Sequence, residues 1–109
     1  MDIKEIAIRE VFMKKNVLLF SHQLKVGGAP TVLCEMGKIL KKKYNVVVLS
    51  PSDGAMRQQF EKNGMEVLIS GEITDALRDV IVQKFDFVVA NTTLALSFVI
   101  KFADKITIY

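Results

Sequence analysis

Two adjacent glycines, Gly27 and Gly28, have the position that most strongly suggests chemistry. They follow the apolar run at 16–20 and precede Ala29, Pro30 and a segment with helical periodicity. Glycine lets the backbone approach a ligand closely, and the free amide groups at a helix start attract an anion. The arrangement therefore predicts a diphosphate site. The alternative interpretation is a tight turn that needs the glycines only for its geometry.

Other polar residues follow the later apolar runs, and each has a second explanation. His22, the only histidine, could serve as a base or a hydrogen-bond donor, or simply end its strand. Asp53 and Gly54 could contact a ligand or form a turn. Asn91 and Thr92 could bind a hydroxyl group or cap a helix. Because His22 has no evident partner, the sequence predicts no catalytic residue in this chain.

Several kinds of site are disfavoured. The glycines lack the G-x-G-x-x-G spacing and the lysine of a P-loop. Ser50 and Pro51 stand where a NAD-binding domain carries an acidic residue for the ribose. Cys34 is the single cysteine, and we expect it to pack in the core. Neither His22 nor Cys34 has companions at metal-ligand spacing, so we expect no metal and no resident cofactor.

Apolar runs alternate with helical segments along the chain. We predict strands at 16–20, 46–49, 67–69, 87–90 and 105–109, with helices from Pro30, at 56–62, from Thr74 and from Asn91. This alternation predicts an α/β fold, a Rossmann-like open parallel sheet of about five strands in the order 3-2-1-4-5, with helices on both faces. Ligands of such sheets bind at the carboxyl ends of the strands, here between the first and fourth.

The amino-terminal residues form a separate unit in this prediction. Asp2 to Met13 has an apolar stripe at helical spacing, so we assign 1–15 to an amphipathic helix and 16–109 to the Rossmann-like domain. The helix could pack on the domain or against a partner.

Composition limits the function classes. A chain of 109 residues suits one domain, and a net charge of +3 is too small to indicate nucleic-acid binding. No apolar run is long enough for a membrane span, and no signal peptide is evident, so we expect a cytoplasmic protein. The lysines at 41–43 fit a solvated helix end. A peripheral contact at the inner face of the membrane and self-association stay open.

Three segments resemble the group 1 (family 4) retaining glycosyltransferases. N-V-L-L-F-S-H-Q-L-K-V-G-G-A-P-T-V-L-C-E-M-G-K-I-L is similar to the family's first strand-loop-helix unit. V-V-V-L-S-P-S-D-G-A-M-R-Q-Q-F-E-K-N-G-M-E-V resembles its second unit, and F-D-F-V-V-A-N-T its D-v-V-h-a-N strand. The order and spacing of the three segments carry more weight than any one of them.

The resemblance implies a GT-B enzyme that transfers a glycosyl group from a nucleotide sugar to a sugar or lipid-linked acceptor. It implies that Gly27, Gly28 and Ala29 face the donor diphosphate, with Asp53-Gly54 and Asn91-Thr92 near the acceptor. It also implies a C-terminal domain, in cis or in trans, that binds the nucleotide and carries an E-x7-E motif. We expect this chain to end before that domain and to be inactive alone. The alternative is a non-catalytic partner-binding or regulatory module.

Overall fold

The computed structural model describes residues 2–4, 14–91, 100 and 106–109. Its elements alternate as the sequence predicts: β1 (Asn16–Phe20), α1 (Gly28–Leu40), β2 (Asn45–Ser50), α2 (Met56–Lys62), β3 (Glu66–Ile69), α3 (Asp75–Lys84), β4 (Phe87–Ala90) and β5 (Thr107–Ile108). The amphipathic helix predicted over 2–13 and the helix predicted from Asn91 fall largely outside the described residues.

The five strands form one parallel sheet in the order β3-β2-β1-β4-β5. This confirms the predicted fold class and strand order. β1 lies at the centre, where Phe20 is level with Leu49 of β2 and with Ala90 of β4. The winding therefore reverses between β1 and β4, and a ligand crevice is expected at their carboxyl ends.

Alternate residues of β1 point to opposite faces and meet different helices, as the pleat of a strand requires. Val17 and Leu19 pack in the core cluster that contains Leu33 of α1 and Phe60 of α2. Leu18 and Phe20 belong to a second cluster that includes Ile81 of α3. A sheet covered on both faces needs strands that are apolar throughout, which is how β1 reads.

The element boundaries differ in one place that concerns the site. α1 begins at Gly28, with Gly27 as its N-cap, and not at Pro30 as the sequence predicted. Pro30 occupies the third helical position, where the backbone N–H has no partner within the helix and its loss costs nothing. The helix therefore starts two residues closer to β1, directly at the glycine pair.

Two predicted end signals are confirmed. The Thr74 hydroxyl caps α3 by accepting from the Leu77 amide at 3.1 Å. α2 ends at Lys62 with Asn63 as its C-cap, and Gly64 follows with a φ of 78°, the left-handed conformation that favours glycine. Within the described part of the chain, no helix is both long and apolar enough to span a bilayer.

Candidate functional site

A polar residue ends or directly follows each of the first four strands at the carboxyl edge of the sheet. Three of them are serines, Ser21, Ser50 and Ser70. Each serine hydroxyl donates to the backbone carbonyl two residues further along, at 2.5, 2.9 and 2.8 Å respectively. Each of these serine side chains therefore holds a tight turn within its own segment.

Asn91, the residue that follows β4, bonds differently. Its amide Nδ2 donates to the backbone oxygen of Ala29 at 2.7 Å. This partly buried bond joins the end of β4 to the first turn of α1, across the point where the winding reverses. The structure thus brings two of the predicted site residues, Asn91 and Ala29, into contact. Thr92 lies outside the described residues.

The glycine pair is open to the surroundings. Gly27 has a φ of 175°, an extended conformation open to any residue, and Gly64 is the one described glycine with a positive φ. A Cβ added to Gly28 would find no described heavy atom within 4 Å, and one added to Gly27 would meet only the Lys25 oxygen at 4.0 Å. Neither the backbone conformation nor packing against the described residues therefore requires glycine here, which disfavours the tight-turn interpretation.

The first turn of α1 has free donors and no acidic residue, and an exposed lysine is close to it in sequence. The Thr31 amide and hydroxyl both donate to the Gly27 oxygen, at 3.1 and 2.6 Å. The amides of Gly28 and Ala29 have no acceptor among the described residues, as the start of a helix leaves them. The first turn contains no acidic residue. Lys25 is exposed in the same loop and forms no ion pair within the described ranges. The arrangement suits an anion.

The loop after β2 packs directly against the β1–α1 loop at Gly54, and in this sense it is a closed loop. A Cβ on Gly54 would overlap the carbonyl group of Leu24, at 2.5 Å from its carbon, and would lie 2.9 Å from the Lys25 nitrogen. The Met56 amide donates to the Leu24 oxygen at 2.8 Å and fixes the same contact. Gly54 is therefore the residue that lets the β2–α2 loop touch the β1–α1 loop through backbone atoms.

Asp53 is engaged within the same closed loop. The Gly54 amide donates to its Oδ1 at 2.8 Å, and Arg57 donates to its Oδ2 at 3.0 Å. These bonds, the backbone one first, lower the pKa of Asp53. Arg57 also donates to Glu61 at 2.8 Å. The pattern fits turn chemistry, and the predicted acceptor contact of Asp53 stays a prediction.

The remaining candidates show little sign of catalysis. The Nδ1 atom of His22 is buried without a hydrogen-bond partner, and no described carboxylate forms an ion pair with the ring. Cys34 is buried in the core as expected, and its burial raises the pKa of the thiol. No group of three or more potential ligand side chains that could hold a metal ion occurs in the described part of the chain.

The sequence comparison identifies the family. The model of glycosyl-transferase family 4 matches residues 13–107. The chain belongs to glycosyltransferase family 4. No curated protein sequence matches it. The match spans β1 to β4, the first residue of β5 and both loops described above, so this family 4 domain carries its glycine loop and Asn91 within the matched region.

Sequence reasoning missed two parts of this site. Lys25 and Thr31 flank the glycines but belong to no motif, and their contribution appears only once the loop is folded. The serines at the carboxyl ends of β1, β2 and β3 are a visible signal, because Ser21, Ser50 and Ser70 each end an apolar run. Comparing them with Asn91 would have marked the residue after β4 as the exception.

Proposed function

We propose that this family 4 domain is the acceptor-side half of a nucleotide-sugar-dependent glycosyltransferase. In this proposal the amides of Gly28 and Ala29 bind the donor diphosphate, and the acceptor is a sugar or a lipid-linked sugar. A C-terminal domain, in cis or in trans, supplies the nucleotide site and the groups that support the leaving diphosphate. The reaction belongs to the cytoplasm or the inner face of its membrane.

The open glycine loop is the observation that carries this proposal. Two amides lack acceptors in the described chain, an exposed lysine is close in sequence, and no acidic residue lies in the first turn. A diphosphate satisfies all of these groups at once. The absence of a side chain at Gly28, which nothing described inside the domain requires, is explained if a ligand occupies that space.

The same residues support the expectation that the chain needs a second domain. Electrostatic support of a departing diphosphate supplies much of the rate in such transfers. The described residues offer two amides and one lysine on one side of that group. A complementary set of cations on the opposite side of the diphosphate, from a second domain, would complete this electrostatic support.

Ligand titration tests the proposal. We expect inorganic pyrophosphate and UDP to raise the melting temperature of the chain, because both present a diphosphate to the glycine loop. NAD should do no better than pyrophosphate, since Ser50 and Pro51 offer no carboxylate to its ribose. FMN, which carries a single phosphate, tests the further alternative that the chain is a flavodoxin-like domain that binds a phosphate ligand. Stabilisation by FMN or NAD alone would contradict the proposal.

A transfer assay separates the enzyme from the alternative, a non-catalytic partner-binding module. The chain is incubated with a panel of nucleotide sugars, alone and with a family 4 C-terminal domain supplied in trans. Turnover only in the combined sample supports an incomplete enzyme. Transfer by the chain alone would show that the proposed need for a second domain is wrong. Absence of any pyrophosphate binding would favour the non-catalytic module.

A further inference from the structure

Asn91 differs from the three serines at the carboxyl edge in the hydrogen-bond partner of its side chain. The register places Phe20 beside Ala90, so Ser21 and Asn91 follow side by side at the ends of β1 and β4. Ser21 bonds to a carbonyl two residues away, whereas Asn91 reaches a residue 62 positions away in the chain. An asparagine extends its donor one bond further from Cβ than a serine does, which allows this reach.

The bond to Ala29 matters because, although Pro30 is buried, the first turn of α1 has few hydrogen bonds to other parts of the described chain. The β1–α1 loop is fixed up to Leu24, which is buried and whose oxygen accepts from Met56. From Lys25 to Gly28 the loop is exposed. Within the described ranges, the Asn91 amide is the one hydrogen-bond donor from another element that reaches the first turn of α1.

We infer that Asn91 is a positioning residue for the anion site: it holds the first turn of α1 so that the Gly28 and Ala29 amides stay aimed into the open glycine loop. This inference rests on the proposed function for what the loop binds. Asn91 acts here only through Ala29 and forms no bond to the ligand itself. The diphosphate then meets donors that are already aligned, so less ordering opposes its binding.

The test replaces Asn91 by the residue type that ends the other strands. Asn91→Ser keeps a small polar side chain at the end of β4 but is too short to reach the Ala29 oxygen. Ser70→Ala is the matched control, because it removes one side-chain hydrogen bond at the same edge, two strands away from the site. The full 109-residue chain is used for both variants.

The first readout is the amide resonances of Gly28 and Ala29, recorded without ligand by heteronuclear NMR. We expect both to shift in Asn91→Ser and neither to move in Ser70→Ala. The second readout is the affinity for inorganic pyrophosphate. We expect Asn91→Ser to weaken it about fivefold, as for the loss of one partly buried hydrogen bond, and Ser70→Ala to leave it unchanged.

The outcomes separate this inference from the function on which it rests. If the wild-type chain does not bind pyrophosphate, the proposed function fails, while the ligand-free resonances still decide whether Asn91 fixes the turn. Unchanged resonances in Asn91→Ser would overturn the positioning role. So would an affinity that falls equally in Asn91→Ser and Ser70→Ala, since both changes would then act only through general stability.

Discussion

Two glycine-containing loops lie at the same edge of the sheet, and they use glycine for opposite reasons. Gly54 has no room for a side chain, because its Cβ position is filled by the backbone of Leu24 and Lys25. Gly28 has open space where its side chain would be. The first glycine serves contact between loops, and the second leaves room for something from outside the described chain.

This difference separates structural glycines from candidate binding glycines without reference to motifs. A glycine forced by packing explains itself within the fold, so its loss should reduce stability. A glycine that the fold does not need points to a ligand, so its loss should reduce binding. The same substitution, glycine to alanine, therefore tests both loops with opposite expected results.

The largest expected effect is on stability, at Gly54. Gly54→Ala forces the two loops apart and weakens the bond between Met56 and Leu24, which should cost about 2 kcal/mol. Urea unfolding measures the change. Gly71→Ala is the matched control, because a Cβ there meets no described atom, and we expect it to stay within about 0.5 kcal/mol of wild type. Equal stability of the two variants would remove the packing argument.

The next effect is on binding, at Gly28. Gly28→Ala should leave the free energy of unfolding within about 0.5 kcal/mol of wild type, since the methyl group enters open space. It should weaken pyrophosphate binding about tenfold, or about 1.4 kcal/mol, because the methyl group lies beside the amides that approach the ligand. Isothermal titration against Gly71→Ala provides the comparison. A loss of stability as large as that of Gly54→Ala would show that the loop is closed after all.

The smallest effect concerns the charge state of the closed loop. The Gly54 amide and then Arg57 hold the pKa of Asp53 below its ordinary value of about 3.9. A carboxyl group with a lowered folded-state pKa stabilises the fold above about pH 3.9, and that contribution is lost as the pH falls through the folded-state pKa. Arg57→Gln should raise the pKa of Asp53 only part of the way, because the bond from Gly54 remains. NMR titration of the carboxyl carbon measures this, and an unchanged pKa would contradict the role of Arg57.

The fold was largely predictable, because it depends on local patterns. The apolar runs predicted every strand, and their alternation with helices predicted the order of the sheet, in which the winding reverses between β1 and β4. That order also placed Asn91 near the glycine pair, which its bond to Ala29 confirms. The roles of these residues in binding stay predictions.

The contacts between loops were not predictable in the same way. The function of Gly54 depends on Leu24, 30 residues earlier, and no periodicity relates the two. The start of α1 was misplaced because Pro30 is equally suited to the first and third helical positions, so the proline alone does not fix the boundary. The Gly54 contact and the start of α1 both depend on contacts between distant segments, which form only when the chain folds.

One measurement tests the central claim, that the open loop binds a diphosphate and the closed loop does not. Uridine diphosphate is titrated into the chain while the amide resonances of the two loops are followed. The account predicts concentration-dependent shifts at Gly28 and Ala29 and none at Gly54. Shifts confined to the Asp53-Gly54 loop, or none in either loop at millimolar ligand, would contradict it.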